Sequence, residues 1–231
     1  MERNILITGG NSDIGKALIN DIISTENVNI FSTRHKGESL KDIVDHEYDV
    51  DFSSDISSFL LDIKNNSLTD LVIIHGHIER EDSLLKNTAK NNLLQINLNS
   101  VIQIVHELLP SMIANKYGRI IFIGTASVEH GGGENSFTYG LSKSGLLYLA
   151  RHLGKFYTKY NILSNCVSPG YVDTKFQQKA KCNQEIKERL KSIPIGRGAN
   201  AQEVAATVEF LLFNNNYITG QNIVVDAGDF L

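Results

Sequence analysis

Tryptophan is absent from this chain of 231 residues, and cysteine and proline are scarce, at two and three. The two cysteines, Cys166 and Cys182, exclude a disulfide framework and read as free thiols of a reducing, cytoplasmic compartment. No apolar run approaches the roughly 18 residues that a membrane helix needs. Met1-Glu2-Arg3-Asn4 leads straight into Ile5-Leu6-Ile7, so neither a signal peptide nor a membrane partner is expected. A basic excess is also missing. The 22 Lys and Arg against 26 Asp and Glu leave a net charge of −4, which argues against nucleic acid as a partner. The seven histidines are scattered, so no metal site is expected. No Pro/Gly/Ser-rich linker or charge block divides the chain, whose length suits one large α/β domain spanning 1–231.

What is present is alternation. Apolar strand-like runs (Ile5 to Thr8, Val28 to Thr33, Tyr48 to Phe52, Leu71 to His75, Arg119 to Gly124, Ile162 to Val167, Ile223 to Asp226) interleave with helical patterns over Ile14 to Ser24, Leu93 to Ala114, Phe137 to Tyr160 and Ala201 to Phe213. Such alternation implies a mostly parallel sheet covered on both faces, with ligands beyond the carboxyl ends of its strands. The polar stretch from Tyr171 to Gly198 is a candidate substrate lid. Its basic residues include Lys175, Lys179, Lys181, Lys187, Arg189 and Lys191, a balance that also fits solvated helix surface.

Two patterns carry chemistry. Thr8-Gly9-Gly10-Asn11-Ser12-Asp13-Ile14-Gly15 follows the first strand and opens the first helix. There, glycine lets backbone approach a pyrophosphate and the helix supplies free N–H groups, although Asn11, Ser12 or Asp13 would also serve as a simple cap. Tyr139 and Lys143 sit four residues apart, hence neighbours on a helix, where an ammonium is expected to lower a phenol pKa. Tyr171 and Lys175 repeat that spacing, so the pair alone decides nothing.

Taken in order, these motifs resemble the short-chain dehydrogenase/reductase family, in its single-domain branch near the 3-oxoacyl-(acyl-carrier-protein) reductases. The resemblance covers Thr8-Gly9-x-x-x-Asp13-x-Gly15, Asn97, Tyr139-x-x-x-Lys143, Ser168-Pro169-Gly170, Ile193-Pro194-Ile195-Gly196-Arg197 and the ending from Ile218 to Gly228. It implies a Rossmann-like, doubly wound parallel sheet of about seven strands with helices on both faces. It also implies hydride transfer between a nicotinamide and a small-molecule carbonyl or alcohol. Tyr139 would be the proton donor, Lys143 its partner, and Asn97 the holder of a water. Thr125, with Ser127 as the fallback, would supply the substrate-orienting hydroxyl. The cofactor would lie against Gly9, Asn11, Ser12, Asp13, Ile14 and Gly15, with Asp51 and Phe52 at the adenine. His75 and Gly76 would flank the ribose, and Pro169, Gly170, Val172 and Thr174 the nicotinamide. Asp13 and His77 stand where the family has glycine, and Ile74-His75-Gly76-His77 replaces its usual Asn-Asn-Ala-Gly.

The second strand ends without an acid for a ribose 2′-OH, and Arg34 and Lys36 follow it directly. NADP(H) is therefore expected over NAD(H). Two other readings stay open: a non-catalytic NADP(H)-binding sensor or scaffold of the same fold, and a nucleotide-sugar epimerase or dehydratase, for whose larger C-terminal domain there is no room. The apolar helices over Leu93 to Ala114 and Phe137 to Tyr160 carry surface that family members pair across a twofold to make dimers and tetramers, so a homo-oligomer (dimer or tetramer, with a homotetramer favoured) is expected.

Overall fold

A computed structural model describes residues 2–79, 81–86, 89–176 and 183–231. Seven strands form one parallel sheet in the order β3-β2-β1-β4-β5-β6-β7. They are β1 (Arg3–Thr8), β2 (Val28–Arg34), β3 (His46–Asp49), β4 (Asp70–Ile73), β5 (Gly118–Ile123), β6 (Ile162–Pro169) and β7 (Asn222–Val225). Order reverses between β1 and β4, so the switch point lies at the carboxyl ends of those two strands.

The continuous apolar runs of the strands follow from burial on both faces. Leu6, Leu71, Ile73, Ile120 and Phe122 enter one core, while Ile5, Ile7, Val72, Ile121 and Ile123 enter the other. The first core packs against α2 (Ser57–Lys64), α4 (Ser100–Asn115) and α5 (Phe137–Tyr157), the second against α1 (Asp13–Ile22) and α7 (Ala201–Glu209). The helix expected from Leu93 to Ala114 is built from α3 (Asn91–Leu94), a π-helical turn (Gln95–Asn99) and α4. The turn contains Asn97, and π turns are frequent at functional sites. α7 likewise runs on into a second π turn (Phe210–Asn214).

One expected strand is shifted and two helices join the expected elements. β3 lies at His46–Asp49, not Tyr48 to Phe52, because Val50 and Phe52 turn into the core beyond the strand. α2 went unread, since only Phe59 and Ile63 of its eight residues are buried. Part of the polar stretch after Tyr171 is helical, α6 (Asn183–Ser192), held to the carboxyl-terminal tail by the Arg189–Asp229 ion pair and by Arg189 over the Phe230 ring at 5.3 Å. Positions 177–182 of the expected lid, with Lys179, Lys181 and Cys182, lie outside the described residues. Cys166 is a buried free thiol. Among the described residues, no helix is long and apolar enough to cross a membrane.

Candidate active site

A cavity of 490 Å³ opens at the switch point. Of the residues expected to carry catalysis or to hold the cofactor, all but Gly15, Asp51, Asn97 and Ser127 line it.

The turn after β1 is built for close approach. Gly9 has φ +69°, in the left-handed region where glycine carries no Cβ penalty. Its N–H donates to Thr33 Oγ1 at 3.0 Å, and the Gly10 N–H donates to the Thr33 carbonyl, also at 3.0 Å, which ties the turn to β2. Gly15 sits beneath the cavity. A Cβ there would come within 2.5 Å of the Gly10 carbonyl oxygen, so only glycine lets α1 pack against the turn. Ser12 is the cap, its Oγ accepting from the Gly15 N–H at 3.1 Å. Asp13 turns to the loop after β6, where Oδ2 accepts from the Lys175 backbone N–H at 2.8 Å.

The residues after β4 form a buried polar knot. His75 Nε2 lies 3.1 Å from the Ile96 carbonyl and 3.0 Å from Ser100 Oγ, and Nδ1 lies 2.7 Å from Thr8 Oγ1. A carbonyl only accepts, so Nε2 carries the proton and Nδ1 accepts from Thr8. Burial, reinforced by the nearby Lys143 charge, drops the His75 pKa to about 3 and keeps the imidazole neutral. The Phe52 ring stacks on His75 at 3.8 Å, so one face of this expected adenine contact is occupied by protein. Asp51 folds onto its own turn, accepting from the N–H and Oγ of Ser53. His77 has no positive φ, so standing in a glycine position costs it no backbone strain. Asn97 braces it: Oδ1 accepts from the His77 N–H at 2.7 Å, and Nδ2 donates to the His77 carbonyl at 2.9 Å.

The catalytic candidates come from the end of β5 (Thr125, Ser127), the π turn (Asn97) and α5 (Tyr139, Lys143). Lys143 is 4 % exposed and donates from Nζ to the Ile123 carbonyl at 2.8 Å, with Nζ 5.9 Å from the centre of the Tyr139 ring. Burial lowers the Lys143 pKa to about 8 and pushes the Tyr139 phenol up. The expectation that Lys143 lowers the phenol pKa is therefore corrected for this geometry, because the ammonium addresses a carbonyl and desolvation dominates the phenol. Thr125 follows β5 in extended conformation, stands just before a 3-10 turn (Ala126–His130) without a side-chain cap bond, and lies 3.0 Å, oxygen to oxygen, from Ser127. Thr125 lines the cavity and Ser127 does not. The repeated pair, Tyr171 and Lys175, lies after β6. Tyr171 is buried under Gly198, and Val172 bridges to Ala199.

Two features escaped the sequence because they link distant positions. Arg34 is gripped by acids of β3, Nε to Glu47 at 3.1 Å and Nη2 to Asp49 at 2.9 Å. The carboxylates missing from the end of β2 are thus supplied by its neighbour. Asp82, 57 positions before Tyr139, accepts from the Tyr139 backbone N–H at 2.9 Å.

Comparison with known proteins gives a consistent picture. A family model described as enoyl-(acyl carrier protein) reductase matches residues 37–229. The chain is 31% identical to a 3-oxoacyl-(acyl-carrier-protein) reductase of Buchnera aphidicola, covering 97% of this chain and 96% of that protein. It is 36% identical to carbonyl reductase family member 4 of Xenopus laevis, over 78% of this chain and 75% of that one. Among solved structures, a short chain dehydrogenase family protein from Francisella tularensis superposes with a TM-score of 0.86 at 26% identity, covering 99% of each chain.

Proposed function

The chain belongs to the short-chain dehydrogenase/reductase family of nicotinamide-dependent oxidoreductases, and on that premise we propose that it moves a hydride between NADP(H) and a carbonyl or secondary alcohol. The relatives' names make 3-oxoacyl thioesters of an acyl carrier protein the substrate class to test first. The observation that carries the reading is the convergence of Thr125, Tyr139 and Lys143 on one cavity at the switch point of a parallel sheet.

The residues present fit a dinucleotide. The Gly9–Gly15 cradle and the amino terminus of α1 offer backbone N–H groups to a diphosphate, and the Asp13 carboxylate accepts from the Lys175 backbone N–H. Pro169, Gly170, Val172 and Thr174 form the opposite wall. When bound, the nicotinamide supplies or accepts the hydride at the substrate carbon. Tyr139 donates or takes the proton at its phenol oxygen, and Thr125 Oγ1 donates to the substrate oxygen. Lys143, its pKa near 8 and its Nζ close to Gly76, would contact the ribose from its anchor on the Ile123 carbonyl. Asn97 holds the turn carrying His77 in place.

Arg34, His35 and Lys36 line one end of the cavity, which supports a 2′-phosphate. Glu47 and Asp49 both orient Arg34 and offset its charge, so the Km ratio discriminates. Oxidation of NADPH and NADH, followed at 340 nm with a carbonyl panel, should show turnover with a lower Km for NADPH. An equal or lower Km for NADH would remove the NADP(H) preference, and tight binding without turnover on any carbonyl would favour the sensor reading.

Tyr148 and Phe156 on α5 and Ile102 on α4 are exposed at 71%, 49% and 46%. These apolar faces support pairing with a second copy, as expected of a homo-oligomer. Light scattering at micromolar concentration should report more than a monomer; a monomer would remove this part of the reading.

A further inference from the structure

We infer that Asp82 is a positioning residue that holds the first turn of α5, and with it Tyr139, from outside the helix; this rests on the assignment of Tyr139 as proton donor. The first backbone N–H groups of a helix have no partner within it and are usually capped by the residue just before. Here that residue is Ser136, and its side chain does not cap. Its Oγ instead bonds Gly133, accepting from the Gly133 N–H and donating to the Gly133 carbonyl, both at 2.9 Å. The missing cap arrives from the segment between β4 and α3. The Asp82 side chain accepts from the Tyr139 N–H at 2.9 Å, and its main-chain carbonyl accepts from the Phe137 N–H at 2.9 Å.

Asp82 is 2% exposed. A carboxyl buried at a helix amino terminus sits where the helix dipole favours an acceptor of negative charge. The same segment adds a second clamp, the Lys90 N–H donating to Thr138 Oγ1 at 3.1 Å. Lys143, one turn further along, has its own anchor on the Ile123 carbonyl and does not depend on Asp82. Loss of the Asp82 acceptor therefore frees Tyr139 while leaving Lys143 and the cofactor wall in place. Such a change acts on kcat rather than on cofactor binding, because a reacting group displaced by an ångström costs rate steeply.

The test compares Asp82→Ala with Asp82→Asn, whose amide oxygen still accepts. NADPH turnover, NADPH affinity by fluorescence, and hydrogen exchange at the Tyr139 amide are read on each. Asp82→Ala should lower kcat about ten- to hundredfold, with cofactor Kd within about twofold and faster exchange at Tyr139. Asp82→Asn should restore kcat to within about threefold and slow the exchange again. In a Tyr139→Phe background, Asp82→Ala should add no further loss. Native kcat in Asp82→Ala, or kcat and cofactor affinity falling together with no rescue by Asn, overturns the inference. Should Asp82→Ala not fold, Asp82→Asn decides: slow exchange and retained turnover support the tether, and a tenfold or greater kcat loss overturns it. The exchange measurement separates the two failures. An active Tyr139→Phe removes the tyrosine assignment, whereas unchanged Tyr139 exchange in Asp82→Ala removes the tether.

Discussion

Tyr139→Phe is expected to lower turnover by about 10²–10⁴-fold, the usual contribution of a positioned proton donor. The ring is kept and only the hydroxyl is lost, so NADPH affinity should stay close to native. The lining of the cavity supports this split: the dinucleotide cradle is formed by the turn after β1, while Tyr139 enters from α5. Thr125→Val should also cripple turnover, because Thr125 lines the cavity and Ser127 does not, whereas Ser127→Ala should leave it largely intact. Stopped-flow binding of NADPH alongside steady-state rates checks all three variants. Near-native turnover in Tyr139→Phe would refute the assignment, and a crippled Ser127→Ala beside an active Thr125→Val would exchange the roles of the two hydroxyls.

Lys143→Met should cost about 10²–10³-fold in turnover, the usual loss when one preorganised donor is removed. It should also make the protein more stable. Burial holds the Lys143 pKa at about 8 in the folded chain, below its ordinary 10.5, so keeping the ammonium charged at neutral pH costs on the order of 3 kcal/mol. Methionine fills similar space without a charge but leaves the Ile123 carbonyl without its donor, at about 1–3 kcal/mol. The net gain at pH 7 is therefore about 1 kcal/mol, or 2–4 °C in Tm at this chain length. Between about pH 8 and 10.5 the unfolded chain binds the extra proton, so wild-type stability rises with pH across that window, and the Lys143→Met variant lacks the rise. Urea midpoints at pH 7 and pH 10 measure both effects. A variant less stable than wild type at pH 7, or with the same pH profile, would show that Lys143 is not held against its charge.

Much of this was legible in the sequence because it is coded locally. Ile5-Leu6-Ile7 and Arg119 to Ile123 read as strands since adjacent residues feed opposite cores. A glycine turn with a cap among Asn11, Ser12 and Asp13 could be read from its place between strand and helix, and the structure selects Ser12. α2 was hidden by a narrow buried stripe, and the π turn at Asn97 by a pattern that an ordinary helix satisfies equally well. The partners of Arg34 lie on β3, 13 positions or more along the chain, and nothing in the residues around Arg34 announces them.

The sequence by itself determined the strand order along the chain, the parallel sheet, the family and most of the side chains that gather at the switch point. These rest on periodicity and on motif order, which are short-range properties of the chain. Tertiary structure alone decided the electrostatics and orientation of the site. It aimed Lys143 at Ile123, raised the Tyr139 phenol by burial, kept His75 neutral between Thr8 and Ile96, and supplied Tyr139 with a cap from Asp82. Desolvation and hydrogen bonding depend on which distant residues exclude water from a group, and that is set only when the sheet brings those residues together.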